Sequence, residues 1–265
     1  METLARDLFP ADLQRAAITF YGKPAPAAIL LKQPPADAIP DCLPTYFGPL
    51  PAILHQKEII TLNGYRLPKR RAEFLSGRIA AKMALKRFLA SGGQDLLAPL
   101  NTVEITNEPN GRPIVCLDAR KDWPGPEISI THGGEYAAAL AAQSPCGIDI
   151  QQQRDNLLRV REKYCSCEEL QVLGKLLPEM ASLSRLVLLW AAKEAAKKAL
   201  SYRQMLGFLE LELMPPAQRL DRCHSLTLAV RVKNNAQMPD AVTVLATLFA
   251  DYGLAICILK KEHHA

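Results

Sequence analysis

The chain has 265 residues, 49% apolar and 22% charged, with a net charge of +5 and an isoelectric point near 8.8. That length allows one large domain or two compact halves with ample core. The mild basicity suits phosphates, acidic proteins or nucleic acid without choosing among them. No stretch approaches the ~20 apolar residues of a membrane span. The first ten residues lack the basic and apolar regions of a signal peptide, so a cytoplasmic protein is expected.

The seven cysteines, at 42, 116, 146, 165, 167, 223 and 257, include no CxxC pair and have no histidine cluster nearby. A zinc site is therefore not expected, and the thiols read as reduced, mostly core residues, with Cys165 or Cys167 open to a reactive role. Eight prolines between residues 22 and 51 rule out a continuous helix there and leave Ile29-Leu30-Leu31 as a short strand. A helix is predicted from about Arg71 to Ala90. Leu75, Ile79 and Met83 lie on one face and Arg78, Lys82 and Lys86 form a basic stripe, with a left-handed glycine cap at Gly92-Gly93. That stripe, together with Lys69-Arg70-Arg71 before it, is either a solvated face or an anion site.

Strands are predicted at 103–105, 114–116, 127–132, 136–142 and 146–151. Arg112 sits in a Gly-Pro turn, and His132 ends a strand just before Gly133-Gly134, where backbone can approach a ligand closely. In the last of these strands Ile148 and Ile150 are expected to face the core, leaving Gly147, Asp149 and Gln151 on the other face. An aspartate inside a strand calls for a partner, either a local hydrogen bond or a hard divalent cation such as Mg²⁺. Residues 152–178 read as a mobile connecting region with partner-binding surface. A second long helix is predicted from Ser182, as N-cap, to Leu200. On it Trp190, Glu194 and Lys198 share one stripe: a site, or an amphipathic helix with an exposed ion pair. Alternation at 209–213 and 225–232, then a closing hairpin over 242–259, completes the chain.

Arg78 to Leu85 and Lys193 to Leu200 match at five of eight positions at an offset of 115, which suggests two related halves. Ile79 and Met83 then stand where Glu194 and Lys198 are, so only the second half would carry the charged pair. The expected fold is α+β, with halves at 1–145 and 146–265, each a long helix on a small, mostly antiparallel sheet, and a site at the seam.

The blocks Gly147-Ile148-Asp149-Ile150 and Trp190-Ala-Ala-Lys193-Glu194-Ala195 to Lys198, with Thr131-His132-Gly133 and Asn110-Gly111-Arg112-Pro113 upstream, resemble the motifs of 4′-phosphopantetheinyl transferases. The layout is similar to the monomeric Sfp-type branch. The resemblance implies transfer of phosphopantetheine from coenzyme A, as co-substrate, to a serine of an apo acyl or peptidyl carrier protein. It implies Asp149, Glu194 and the departure Gln151 as Mg²⁺ ligands, Glu194 as base, and Lys198 beside the diphosphate. It also implies Lys69, Arg70, Arg71, Arg78, Arg112, Thr131, His132 and Lys193 as coenzyme A contacts. Gln151 replaces an acidic ligand, which leaves a binding protein without catalysis as one alternative. A nucleic-acid binder is another, disfavoured because few aromatics lie among the 66–87 charges. Neither membrane nor nucleic acid is expected as a partner.

Overall fold

A computed structural model describes residues 6–34, 50–92, 99–117, 125–219, 226–232 and 238–260, with backbone alone at 215–219 and 226–228. Cys42, Cys223, Gly93 and the prolines from 35 to 49 lie outside the described residues. The chain divides into two compact units, residues 1–9 with 23–143, and residues 10–22 with 144–265. The division expected at 145/146 therefore differs at the N-terminus. Helix α1 (Ala11–Tyr21) belongs to the second unit, where the Tyr21 hydroxyl donates to Thr243 O (3.0 Å) and accepts from the Ile258 N–H (3.3 Å).

The first unit contains β1 (Ala27–Lys32), α2 (Gln56–Gly64), α3 (Pro68–Ser91), β2 (Val103–Asn107), β3 (Pro113–Leu117), β4 (Glu127–Gly133) and β5 (Tyr136–Ala142). Its sheet runs β1-β5-β4, antiparallel throughout, and β2-β3 form a separate hairpin. Helix α3 starts three residues before the expected Arg71, because Pro68 at its first turn is already set at a helical φ. Its end also differs from expectation. Gly92 has φ −90°, not left-handed, and its N–H reaches Phe88 O and Leu89 O. Alanines of the central strand β5 let α3 lie close, so Ala139 and Ala141 share one core with Leu75, Ile79 and Leu85.

The second unit contains β6 (Cys146–Gln152), α4 (Asn156–Arg159), α5 (Cys167–Leu176), α6 (Ser182–Leu200), β7 (Leu211–Arg219), β8 (Leu226–Val232), β9 (Ala241–Phe249) and β10 (Tyr252–Ile258). Its antiparallel sheet runs β6-β10-β9-β8-β7. Ser182 is the first helical residue of α6 rather than its cap, and Ala181 at the cap offers no side-chain bond.

Two expectations are corrected here. A Cβ on Gly147 would lie 1.9 Å from Ala195 O, so the Gly147–Asp149 face is the one that α6 packs against. Ile148 and Ile150 point the other way and are buried as well. The 152–178 segment is not merely a connector, because Tyr164 is fully buried and Glu169 nearly so, each bonded into the unit.

Both units thus repeat one α+β plan, but at a different register from the offset of 115. Lys82 and Lys193 are both fully buried ammonium groups. Lys82 Nζ donates to Ile53 O, Leu100 O, Val103 O and, at 2.6 Å, Glu58. Lys193 Nζ donates to Tyr164 O (2.7 Å), Phe208 O (3.3 Å) and Glu169 (2.8 Å). Glu58 closes a capping box with His55, and Glu169 closes one with Ser166. The pairs 82 and 193, 58 and 169, and 55 and 166 all lie 111 positions apart. At that register Met83 stands opposite Glu194, and Arg87 opposite Lys198. Like Lys198, Arg87 bonds a strand carbonyl, Ala28 O at 3.2 Å. No described helix is long and apolar enough to cross a membrane.

Candidate active site

In the second unit, β6 presents Asp149 to α6 because Gly147, two residues earlier on the same face, leaves no side chain to hold the helix off. Lys198 Nζ donates to Asp149 Oδ1 (2.7 Å) and Ile148 O (2.9 Å). One turn earlier on the same helical face, Glu194 accepts from Lys197 Nζ at 3.3 Å. Lys197 lies 5.0 Å above the Phe208 ring. Asp149 is 6% exposed, so its carboxylate is held in a largely dry place beside a cation. Gln151 donates its amide to Gln152 O. Trp190 packs edge-on to Tyr164 and tilted against Phe208, as a structural anchor at the end of the stripe.

The donor set of Asp149 and Glu194, with the Gln151 amide oxygen, consists of hard oxygens. It fits a cation such as Mg²⁺, which takes one or two protein carboxylates and completes its shell with water and phosphate oxygens. No group of three His, Cys, Asp or Glu side chains able to hold a metal occurs among the described residues.

In the first unit a cavity of about 490 Å³ is lined by Arg70, Arg78 and His132 with Glu73, Tyr65 and Phe74. Glu73 takes a bond from Arg70 (2.8 Å) and lies 3.7 Å from His132 Nδ1 and 3.8 Å from Lys69. Arg78 lies over the Phe74 ring (4.7 Å) and 3.7 Å from Glu58. Burial lowers its pKa, with Glu58 and then Tyr65 opposing the shift. Among the described residues its Nε has no hydrogen-bond partner, nor has the buried Nε of Arg71.

Of the expected coenzyme A contacts, three converge on this cavity: Arg70, Arg78 and His132. Lys69, Arg71, Arg112 and Thr131 are not in its lining. Arg112 is held by Glu127 and, at 3.5 Å, by Glu108. Lys193, also expected as a contact, is fully buried in the Glu169 bond network and is not in the lining of this cavity. Glu73 was missed in the sequence, although its spacing of four and three from Lys69 and Arg70 on a helix is an ion-pair signal. A second cavity of about 490 Å³, flanked by Arg203 and Lys260 in the second unit, includes neither Asp149 nor Glu194.

The sequence model of the 4′-phosphopantetheinyl transferase superfamily matches residues 145–257, the stretch that carries Asp149, Glu194 and Lys198. A holo-[acyl-carrier-protein] synthase of Bacillus pumilus is 37% identical over 89 residues, 31% of this chain and 71% of that one. The chain belongs to the 4′-phosphopantetheinyl transferase superfamily. Within it, the Geobacillus kaustophilus holo-[acyl-carrier-protein] synthase is 40% identical over 73 residues, 27% of this chain and 54% of that one. A candidate 4′-phosphopantetheinyl transferase of Synechocystis sp. is 28% identical over 152 residues, 56% of this chain and 57% of that one. The chain thus spans a little over half the length of the first curated superfamily relatives it matches.

Proposed function

We propose that this protein transfers the 4′-phosphopantetheine group of coenzyme A to a serine of an apo acyl or peptidyl carrier protein. The serine oxygen attacks the phosphorus that bears the pantetheine. The bond from that phosphorus to the bridging oxygen breaks, and 3′,5′-ADP leaves. The serine proton passes to the Glu194 carboxylate. The observation that carries this reading is Asp149 bonded to Lys198, with Glu194 one turn away on the same helical face, inside the stretch matched to the superfamily. Phosphoryl transfer needs little more than positioning, charge neutralisation and a base.

Mg²⁺ would supply charge neutralisation for the diphosphate when held by Asp149 and Glu194. Lys198 holds Asp149 in place and offers its ammonium to the phosphate oxygens. Within the first unit, taken by itself, Arg70, Arg78 and His132 offer cationic groups suited to a phosphate. Acidic carrier surface docks on the segment 158–163, where Leu158 is 43% exposed between Arg154 and the exposed Arg159, Arg161 and Lys163. One chain holding both halves supports a monomer. Among the described residues, the free thiols at 116, 165, 167 and 257 support a reducing, cytoplasmic setting.

The test is mass spectrometry of a carrier panel after incubation with coenzyme A and Mg²⁺. A phosphopantetheine adduct is expected on at least one carrier, and Glu194→Gln lowers its rate about 10²-fold or more. Coenzyme A bound without an adduct on any carrier would replace this reading with a non-catalytic binding protein.

A further inference from the structure

Lys193 precedes the proposed base by one residue, so it is turned about 100° from Glu194 around α6, and its side chain is 0% exposed and paired with Glu169. Its bonds tie the middle of the helix to backbone carbonyls at Tyr164 and Phe208 and to the Glu169 carboxylate. Tyr164 O lies before α5, and Phe208 O lies before β7. Glu169 in turn takes N–H bonds from Ser166 and Leu213, at the α5 cap and in β7. A buried ammonium–carboxylate pair is poor evidence of stability, because desolvating both charges offsets most of their attraction. What such a pair does well is select one register, since any other leaves a buried charge unpartnered.

The first unit repeats the same device at Lys82 and Glu58, although residue 83 there is a methionine. The device therefore belongs to the helix, not to the chemistry, and it fixes where the next residue points. A rotation of α6 about its axis would move Glu194 and Lys198 relative to Asp149, and misplacement by about 1 Å can cost about 10²-fold in rate.

We infer that Lys193 is a positioning residue, which sets the rotation of α6 so that the Glu194–Lys198 face meets Asp149, and that it makes no contact with coenzyme A. The inference rests on the transferase reading for its kinetic arm only.

The test uses the full chain with Trp123→Phe, so that Trp190, which packs on Tyr164 and Phe208, is the sole indole reporter. Lys193→Met with Glu169→Gln removes the charge pair and keeps an amide oxygen for the Leu213 N–H. Lys82→Met with Glu58→Gln is the matched control. Both doubles are expected to lose thermal stability. Only the first shifts Trp190 emission and lowers kcat about tenfold or more, with the calorimetric Kd for coenzyme A changed by less than about threefold. A Kd weakened about tenfold with kcat kept would make Lys193 a ligand contact and overturn the inference. Unchanged kcat together with unchanged emission would overturn it as well. Should the parent chain transfer nothing, the functional reading falls and Trp190 emission alone decides: a shift in the first double supports positioning, and no shift overturns it. If that double does not fold, Glu169→Gln alone, which keeps Lys193 and both carbonyl partners, carries the same readouts.

Discussion

Lys198 meets a strand carbonyl and a carboxylate at once, which fixes a long, flexible side chain in one place before any substrate arrives. Such preorganisation is what a phosphate site needs, since the charge need not be gathered during the reaction. Two cysteines of the second unit divide by burial. Burial pushes the Cys165 thiol up to about 12, with Glu169 adding to the shift, whereas Cys167 two residues on is exposed. Since the thiolate is the nucleophile, brief treatment with iodoacetamide at pH 8 is expected to alkylate Cys167 and spare Cys165 and Cys257. Peptide mass spectrometry reads the outcome, and equal labelling of 165 and 167 would contradict the packing. Lys193 and Glu194 show the limit of reading residues one at a time. Their spacing with Trp190 and Lys198 was legible in the chain, but which of two adjacent charges is buried depends on α5 and β7, far away in sequence.

At the scale of elements, α6 rests directly on β6. Gly147 makes this possible, since any Cβ there would drive into the Ala195 carbonyl and the Ala199 amide of the helix. Gly147→Ala is therefore expected to destabilise by about 1–3 kcal/mol, as overpacking does. It should also lower transfer activity by more than the stability loss explains, because the helix must lift away from Asp149. Thermal melts and kcat at a temperature where the variant stays folded check both parts, and an unaltered kcat would show that the approach is slack. Most elements could be read from alternation and helical spacing, the β9–β10 hairpin among them, whose turn falls at Ala250-Asp251 while Tyr252 and Gly253 already pair as strand. The facing of β6 could not. Both of its faces are buried, so alternation carried no sign, and a glycine in a strand marks close approach only once the helix above it is known. The register of the internal repeat was likewise hidden, because alanine-rich helices match at several offsets and the buried Lys–Glu bonds, with the capping boxes beside them, choose 111.

For the molecule as a whole, several groups of the second unit titrate well above their ordinary range. Burial lifts Cys165 and Cys257 from 9.0 to about 12 and Tyr164 from 10.0 to about 12. The unfolded chain releases these protons near pH 9 to 10 while the folded chain keeps them, so folded stability falls as pH rises. The contribution is complete below about pH 9 and is lost on the way to about pH 12. Denaturant titrations at pH 8 and pH 10 are expected to differ by on the order of 2 kcal/mol, and Cys257→Ala should reduce the difference. A flat profile would mean that these groups reach solvent.

The neighbouring positions 82 and 83, and 193 and 194, have a consequence for how the scaffold tolerates change. The residue that holds each long helix and the residue that could do chemistry on it are adjacent but face different surroundings, so one can vary while the other stays. Met83 beside the intact Lys82 bonds is such a case. A methionine at position 194 should accordingly give a folded, silent protein, and the fold is indifferent to whether its central helix is armed.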